Sequence, residues 1–95
     1  MTRVELSELA RQDLDHLIRT RDLPEGATLA RVESALAVLR AHPEAGQVVG
    51  GRYPGARVLG VAWGWLQLLY VHVETDDLVA ISRFYDARMR GVPRP

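Results

Sequence analysis

The hydrophobic period of this chain changes once, and that change limits what it can fold into. Up to His42, apolar residues recur at spacings of three and four; from Ala56 onward the period is two. The first pattern belongs to amphipathic helices and the second to half-buried strands. Between them, residues 43–55 hold Pro43, Gly46, Gly50, Gly51, Pro54 and Gly55, the composition of a loop. A chain divided this way is an α+β domain, with its helices gathered on one face of a sheet.

The individual elements follow from local chemistry. Arg3-Val4-Glu5-Leu6 alternates and reads as a short strand. Ser7 is a good N-cap, and Glu8 sits where the helix dipole favours an acid. Leu6, Ala10, Leu14, Leu17 and Ile18 then mark the apolar stripe of a helix of about 14 residues, with Leu9 beside it. Asp22-Leu23-Pro24-Glu25-Gly26 breaks the pattern, and proline suits the first turn of a second helix. Leu29, Val32, Leu36 and Leu39, with Ala35 and Val38, form its apolar side. His42-Pro43 ends it, because proline disfavours helical geometry in the residue before it.

Three strands are expected after the loop: Ala56–Ala62, Trp65–Glu74 and Leu78–Tyr85. Trp63-Gly64 and Thr75-Asp76-Asp77 are connections short enough for antiparallel hairpins. The expected order is β-α-α-β-β-β, a helical hairpin on one face of a twisted antiparallel sheet. In the long strand, Trp65, Gln67, Leu69, Val71 and Val73 share one face; Leu66, Leu68, Tyr70, His72 and Glu74 share the other. Residues 1–95 form one domain, with 86–95, including Arg88, Arg90 and Arg94, expected to be a flexible tail.

Composition excludes several classes of function. There is no cysteine, which removes disulfide scaffolds, thiolate metal sites and thiol nucleophiles. His16, His42 and His72 are too scattered along the chain to suggest a zinc site, and no metal or cofactor is expected. The longest apolar stretch, around residues 58–73, is broken by Gly60, Gly64, Gln67 and His72, so no membrane span is expected. A soluble cytoplasmic protein is the expectation. Twelve basic residues, all arginine, balance twelve acids. Residues 1–45 hold six arginines and eight acids, a net −2; residues 46–95 hold six arginines and four acids, a net +2. Neutrality disfavours generic polyanion binding, while arginine suits bidentate pairing.

Several residues in order resemble the RelE/ParE superfamily of toxins from bacterial type II toxin–antitoxin modules. They are Val4-Glu5-Leu6-Ser7 with Ala10 and Asp13-Leu14, then Leu39 with His42-Pro43, then Gly51-Arg52 and Arg57-Val58. Leu69-Tyr70-Val71-His72-Val73 is similar to the family's tyrosine-bearing central strand. Asp76-Asp77-Leu78-Val79-Ala80-Ile81 is similar to its acidic turn and final strand, with Arg88 beyond. The resemblance implies a growth-inhibiting toxin neutralised by a cognate antitoxin. ParE-like members bind DNA gyrase, and RelE-like members cut mRNA in the ribosome. A relative that keeps only partner binding is a further alternative.

A nuclease on this fold would draw on Arg52, Arg57, Arg83, Tyr85 and Arg88, with His72 as base. Arginine stabilises phosphate but is a poor base, lysine is absent, and Asp86 stands where some relatives carry histidine. These features favour the ParE-like, non-catalytic alternative. For partner binding, the resemblance and an uncovered apolar strip point to Leu66, Leu68, Tyr70 and Phe84 with Arg83 and Arg88. Such a strip would be covered by the antitoxin or by homodimerisation. Trp63 and Trp65 point to one face, either as core residues or as an exposed anchor pair.

Overall fold

The structure is a computed structural model and describes residues 1–51, 53–89 and 91–95. Its elements are β1 (Arg3–Leu6), α1 (Glu8–Thr20), α2 (Glu25–Ala41), β2 (Gln47–Val48), β3 (Ala56–Ala62), β4 (Leu66–Val73) and β5 (Leu78–Asp86). A 3₁₀ turn at Glu74–Asp76 joins β4 to β5. The strands form one sheet in the order β1-β5-β4-β3-β2. This is the expected α+β architecture with two differences. A two-residue strand, β2, pairs with β3 inside the predicted loop. The sheet is mixed, because β1 runs parallel to β5, Val4 opposite Val79 and Leu6 opposite Ile81.

Local signals in the sequence place most of these elements. The Ser7 hydroxyl caps α1 by accepting from the Ala10 amide at 2.9 Å. Pro24 stands at the N-cap of α2, and the helix stops at Ala41, before His42-Pro43. Trp63 and Gly64 are the central residues of the turn between β3 and β4, closed by the Trp65 amide donating to the Ala62 carbonyl at 3.2 Å, with φ of 55° and 74°. Both values are positive, as a type I′ hairpin requires. Such a conformation is ordinary for glycine and strained for a bulky residue such as tryptophan.

The core lies between the sheet and the helices. Ala10, Leu14 and Leu17 of α1 meet Val32, Ala35, Leu36 and Leu39 of α2 and Leu66, Leu68, Tyr70, Val79, Ile81 and Phe84 of the sheet. Leu9, Leu29 and Val38, assigned to apolar helix sides from the sequence, stay about two-fifths exposed. α1 lies over β5, and α2 lies over β3. A groove floored by Leu14, Ile18, Val32 and Leu36 runs between the helices beside β1.

One irregularity decides which residues face the helices. Leu69 pairs with Arg83 but Tyr70 pairs with Ile81, so Ser82 is an extra residue in β5. This β-bulge inverts the alternation beyond it. Val79, Ile81, Phe84 and Asp86 are buried on the helix side, whereas Arg83 and Tyr85 are only partly buried on the opposite face. The partner-binding assignment of Leu66, Leu68, Tyr70 and Phe84 is therefore corrected. All four are at most 1% exposed, beneath the helices, and form no surface strip. Asp86, expected to open the tail, instead closes β5 and is buried.

Candidate functional site

The candidate residues fall into three groups joined to different parts of the fold. The first lies where β1 leaves the sheet. β1 pairs with β5 only as far as Ile81, whose carbonyl accepts from the Ser7 amide at 2.9 Å. Beyond that point α1 supplies the missing acceptor. The Asp13 carboxylate accepts from the Phe84 amide at 3.2 Å, from Arg83 Nε at 2.7 Å and from Arg83 Nη2 at 3.0 Å. Arg83 is thus held by a bidentate pair, and Asp13 pushes its pKa further above the ordinary arginine value. Arg83 Nη1 also donates to the Arg94 carbonyl at 3.2 Å.

The second group lies at the tryptophan hairpin. Arg88 forms a bidentate pair with Asp86, Nε to Oδ1 at 3.0 Å and Nη2 to Oδ2 at 2.8 Å. The Arg88 amide donates to the same carboxylate at 2.9 Å, and Arg21 Nε donates at 3.3 Å from the end of α1. Arg88 is the main reason that the Asp86 carboxyl is held far below the usual carboxylate range; Arg21 adds to it, and burial opposes it. The Arg88 guanidinium lies 4.3 Å from the centre of the Trp65 ring, and Trp65 stacks on Trp63 at 6.2 Å. The two indoles divide between the roles considered for them. Trp65 packs against the core, and Trp63 is 42% exposed.

The third group closes the link between α2 and β2. The buried Tyr70 hydroxyl accepts from the Gly46 amide at 2.9 Å, and burial pushes the tyrosine pKa up. Arg57 Nη1 donates to the carbonyls of Gly46 at 2.9 Å and Glu44 at 3.3 Å. Arg57 is a cross-strand partner of Tyr70 and shares its face, away from Arg83 and Tyr85. Tyr85 donates to Gln67 at 2.8 Å on the opposite face, and burial raises its pKa.

The residues assigned to a nuclease are not brought to one place. Arg83, Arg88 and Arg57 are each engaged within the chain, two by carboxylates and one by loop carbonyls. His72, the base in that assignment, is five residues along β4 from Gln67, about 16 Å at the rise of a strand. Arg52 lies outside the described residues.

Asp13, Asp86 and Gly46 carry no role in the sequence reading. For Asp13 a signal exists: it stands three residues after Ala10 and four before Leu17, on the buried stripe of α1. For Gly46 the reason is spatial. A Cβ there would lie 2.6 Å from the Val58 carbonyl oxygen and 2.8 Å from the Tyr70 ring.

Among the described residues, no helix is long and apolar enough to cross a membrane. No protein-family model and no curated protein matches the chain. Solved structures do. The toxin–antitoxin complex RelBE2 from Mycobacterium tuberculosis contains a chain similar at a TM-score of 0.68 and 26% identity, covering 90% of this chain and 96% of that one. The intact E. coli RelBE toxin–antitoxin complex matches at 0.66 and 14% identity, over 99% and 100% of the two chains. The chromosomal ParDE toxin–antitoxin system of P. aeruginosa matches at 0.63 and 21% identity, over 90% and 96%. The last two likenesses speak for the fold, and the first joins fold to sequence along nearly the whole chain. The chain has the fold of RelE/ParE-type toxins.

Proposed function

We propose that the chain is the toxin of a type II toxin–antitoxin pair and that it acts by binding DNA gyrase, as ParE-like toxins do, without cutting RNA. The observation that carries this reading is the engagement of Arg83 by Asp13, at 2.7 and 3.0 Å. A nuclease needs cations free to meet a developing phosphate charge, and a base within hydrogen-bond reach of the reacting hydroxyl. Here the strongest cation candidate completes an internal clamp, and His72 stands at the far end of β4.

An antitoxin would use the groove between α1 and α2, in place of the strip over Leu66, Leu68 and Phe84. The groove combines an apolar floor with Glu5, Asp15, Glu25 and Glu33 against Arg11 and Arg40 at its rim, an excess of two acids. That chemistry suits an amphipathic segment with basic flanks. The test of the target is plasmid supercoiling by purified gyrase with the chain added. Supercoiling should fall and cleaved plasmid accumulate; undiminished supercoiling at molar excess, with no trapped cleavage, would overturn the reading.

A further inference from the structure

His72 ends in an environment that its own chain does not satisfy. Both ring nitrogens are buried and have no hydrogen-bond partner. The nearest ionic neighbour, Asp77 Oδ1, is 3.5 Å from Nε2 and already accepts from the Thr2 hydroxyl at 2.7 Å. Buried polar atoms without partners are uncommon enough that each calls for a physical explanation, a bound ion being one. Two carboxylates stand beside this ring. One ligand atom from each of Glu44, His72 and Glu74 falls within 4.8 Å of the others.

We propose that Glu44, His72 and Glu74 bind a divalent transition-metal ion, with zinc the species that best fits the donors. One imidazole nitrogen with two carboxylates is a ligand set of borderline softness, which suits zinc better than calcium or magnesium, whose sites are built from oxygens. Zinc binds nitrogen and oxygen near 2.1 Å, so tetrahedral ligands stand about 3.4 Å apart. Both glutamates are exposed, so their side chains are free to swing inward and close the triangle to that size. Three protein ligands leave the fourth position to water.

The backbone under the triad is well placed to hold it. His72 lies in β4, and Glu74 follows two residues later at the start of the 3₁₀ turn. Glu44 belongs to the α2–β2 link, which Arg57 holds through the carbonyls of Glu44 and Gly46. Asp77, close to Nε2, stands where a carboxylate that orients a metal-bound imidazole is commonly found. A bound ion would therefore tie the α2–β2 link to the β4–β5 turn and stabilise the folded chain by mass action.

The test is calorimetric titration of the chelator-treated full chain with zinc chloride, with thermal melts in parallel. One zinc should bind per chain and raise Tm, and magnesium at the same concentration should not. His72→Gln and Glu74→Gln should each weaken binding about ten-fold or more, while His16→Gln leaves it unchanged. Glu74 is exposed in a turn, so its variant reports on binding even if the His72 variant folds poorly. Wild-type affinity in Glu74→Gln, loss of binding in His16→Gln, an equal response to magnesium, or no zinc binding at all would each overturn the proposal.

Discussion

Replacing Asp13 with alanine removes three acceptor contacts at once, two to Arg83 and one to the Phe84 amide. Hydrogen bonds to charged groups contribute about 1.5–3 kcal/mol net when buried. The Arg83 and Asp13 side chains are 24% and 14% exposed, so solvent screening lowers the pair to about 1–1.5 kcal/mol. The Phe84 amide left without an acceptor adds about 1 kcal/mol. Asp13→Ala should therefore cost about 2–2.5 kcal/mol. Arg83→Ala, which leaves the amide contact in place, should cost about 1–1.5 kcal/mol. The double variant should lose less than the sum, with a coupling energy near 1 kcal/mol. Urea unfolding followed by tryptophan fluorescence measures all four corners of the cycle, and Tm should fall by about 10 °C or more in Asp13→Ala. Coupling below about 0.3 kcal/mol would mean that the clamp does not hold α1 to β5. Arg83 would then be free for another role.

Three further perturbations test other joints of the fold. Gly46→Ala should destabilise by about 3 kcal/mol, because the Val58 carbonyl and the Tyr70 ring must both shift; a loss under about 1 kcal/mol in a denaturant melt would contradict this packing. Trp63→Asn should be neutral or stabilise by about 0.5 kcal/mol, since Asn-Gly suits the positive φ values of this turn. A Tm drop of several degrees would show that the Trp63–Trp65 stack outweighs the backbone strain. The third concerns pH. Asp86 has a folded pKa below its unfolded value, so its contribution is present above about pH 4 and lost as pH falls further. Asp86→Asn should flatten the decline in stability between pH 5 and pH 2, and an unchanged slope would remove Asp86 from the acid response.

Much of the fold can be read in the sequence because its signals are local. The Ser7 cap, the proline at each end of α2, the Trp63-Gly64 turn and the alternation of β3 each act within a few residues. What could not be read depends on distant partners. β2 has only two residues, too few for a period, and exists because β3 is beside it. β1 finds β5 in parallel across more than seventy residues of chain. The candidate site was misplaced by one residue, Ser82, whose bulge turns Phe84 inward and Arg83 and Tyr85 to the other face. Strict alternation has no means of announcing a bulge, so the sequence places Phe84 on a surface it does not reach; for Leu66 and Leu68, alternation separates the two faces of β4 but does not say which of them the helices cover. Asp86 first registered only as a departure from a family position. In the structure it organises Arg21, Arg88 and, through Arg88, the stack on Trp65.

The charge asymmetry of the sequence has a related outcome. Of the excess arginines in the second half, Arg83 and Arg88 are paired with carboxylates, and Arg57 is bound to loop carbonyls. Arginine's planar fork is well suited to such bidentate and stacked contacts, and lysine would not replace it there. The half of the chain with a net positive charge thus spends several of its cations on internal structure.

The central claim is that this toxin fold acts by binding and not by cutting RNA. Primer extension on an mRNA under translation, with purified chain added at increasing ratio to ribosomes, tests it most directly. The expected result is full-length extension with no new stop at the ribosomal A site. A discrete A-site cut that disappears in Arg83→Ala and Arg88→Ala variants, both shown to be folded, would contradict the claim.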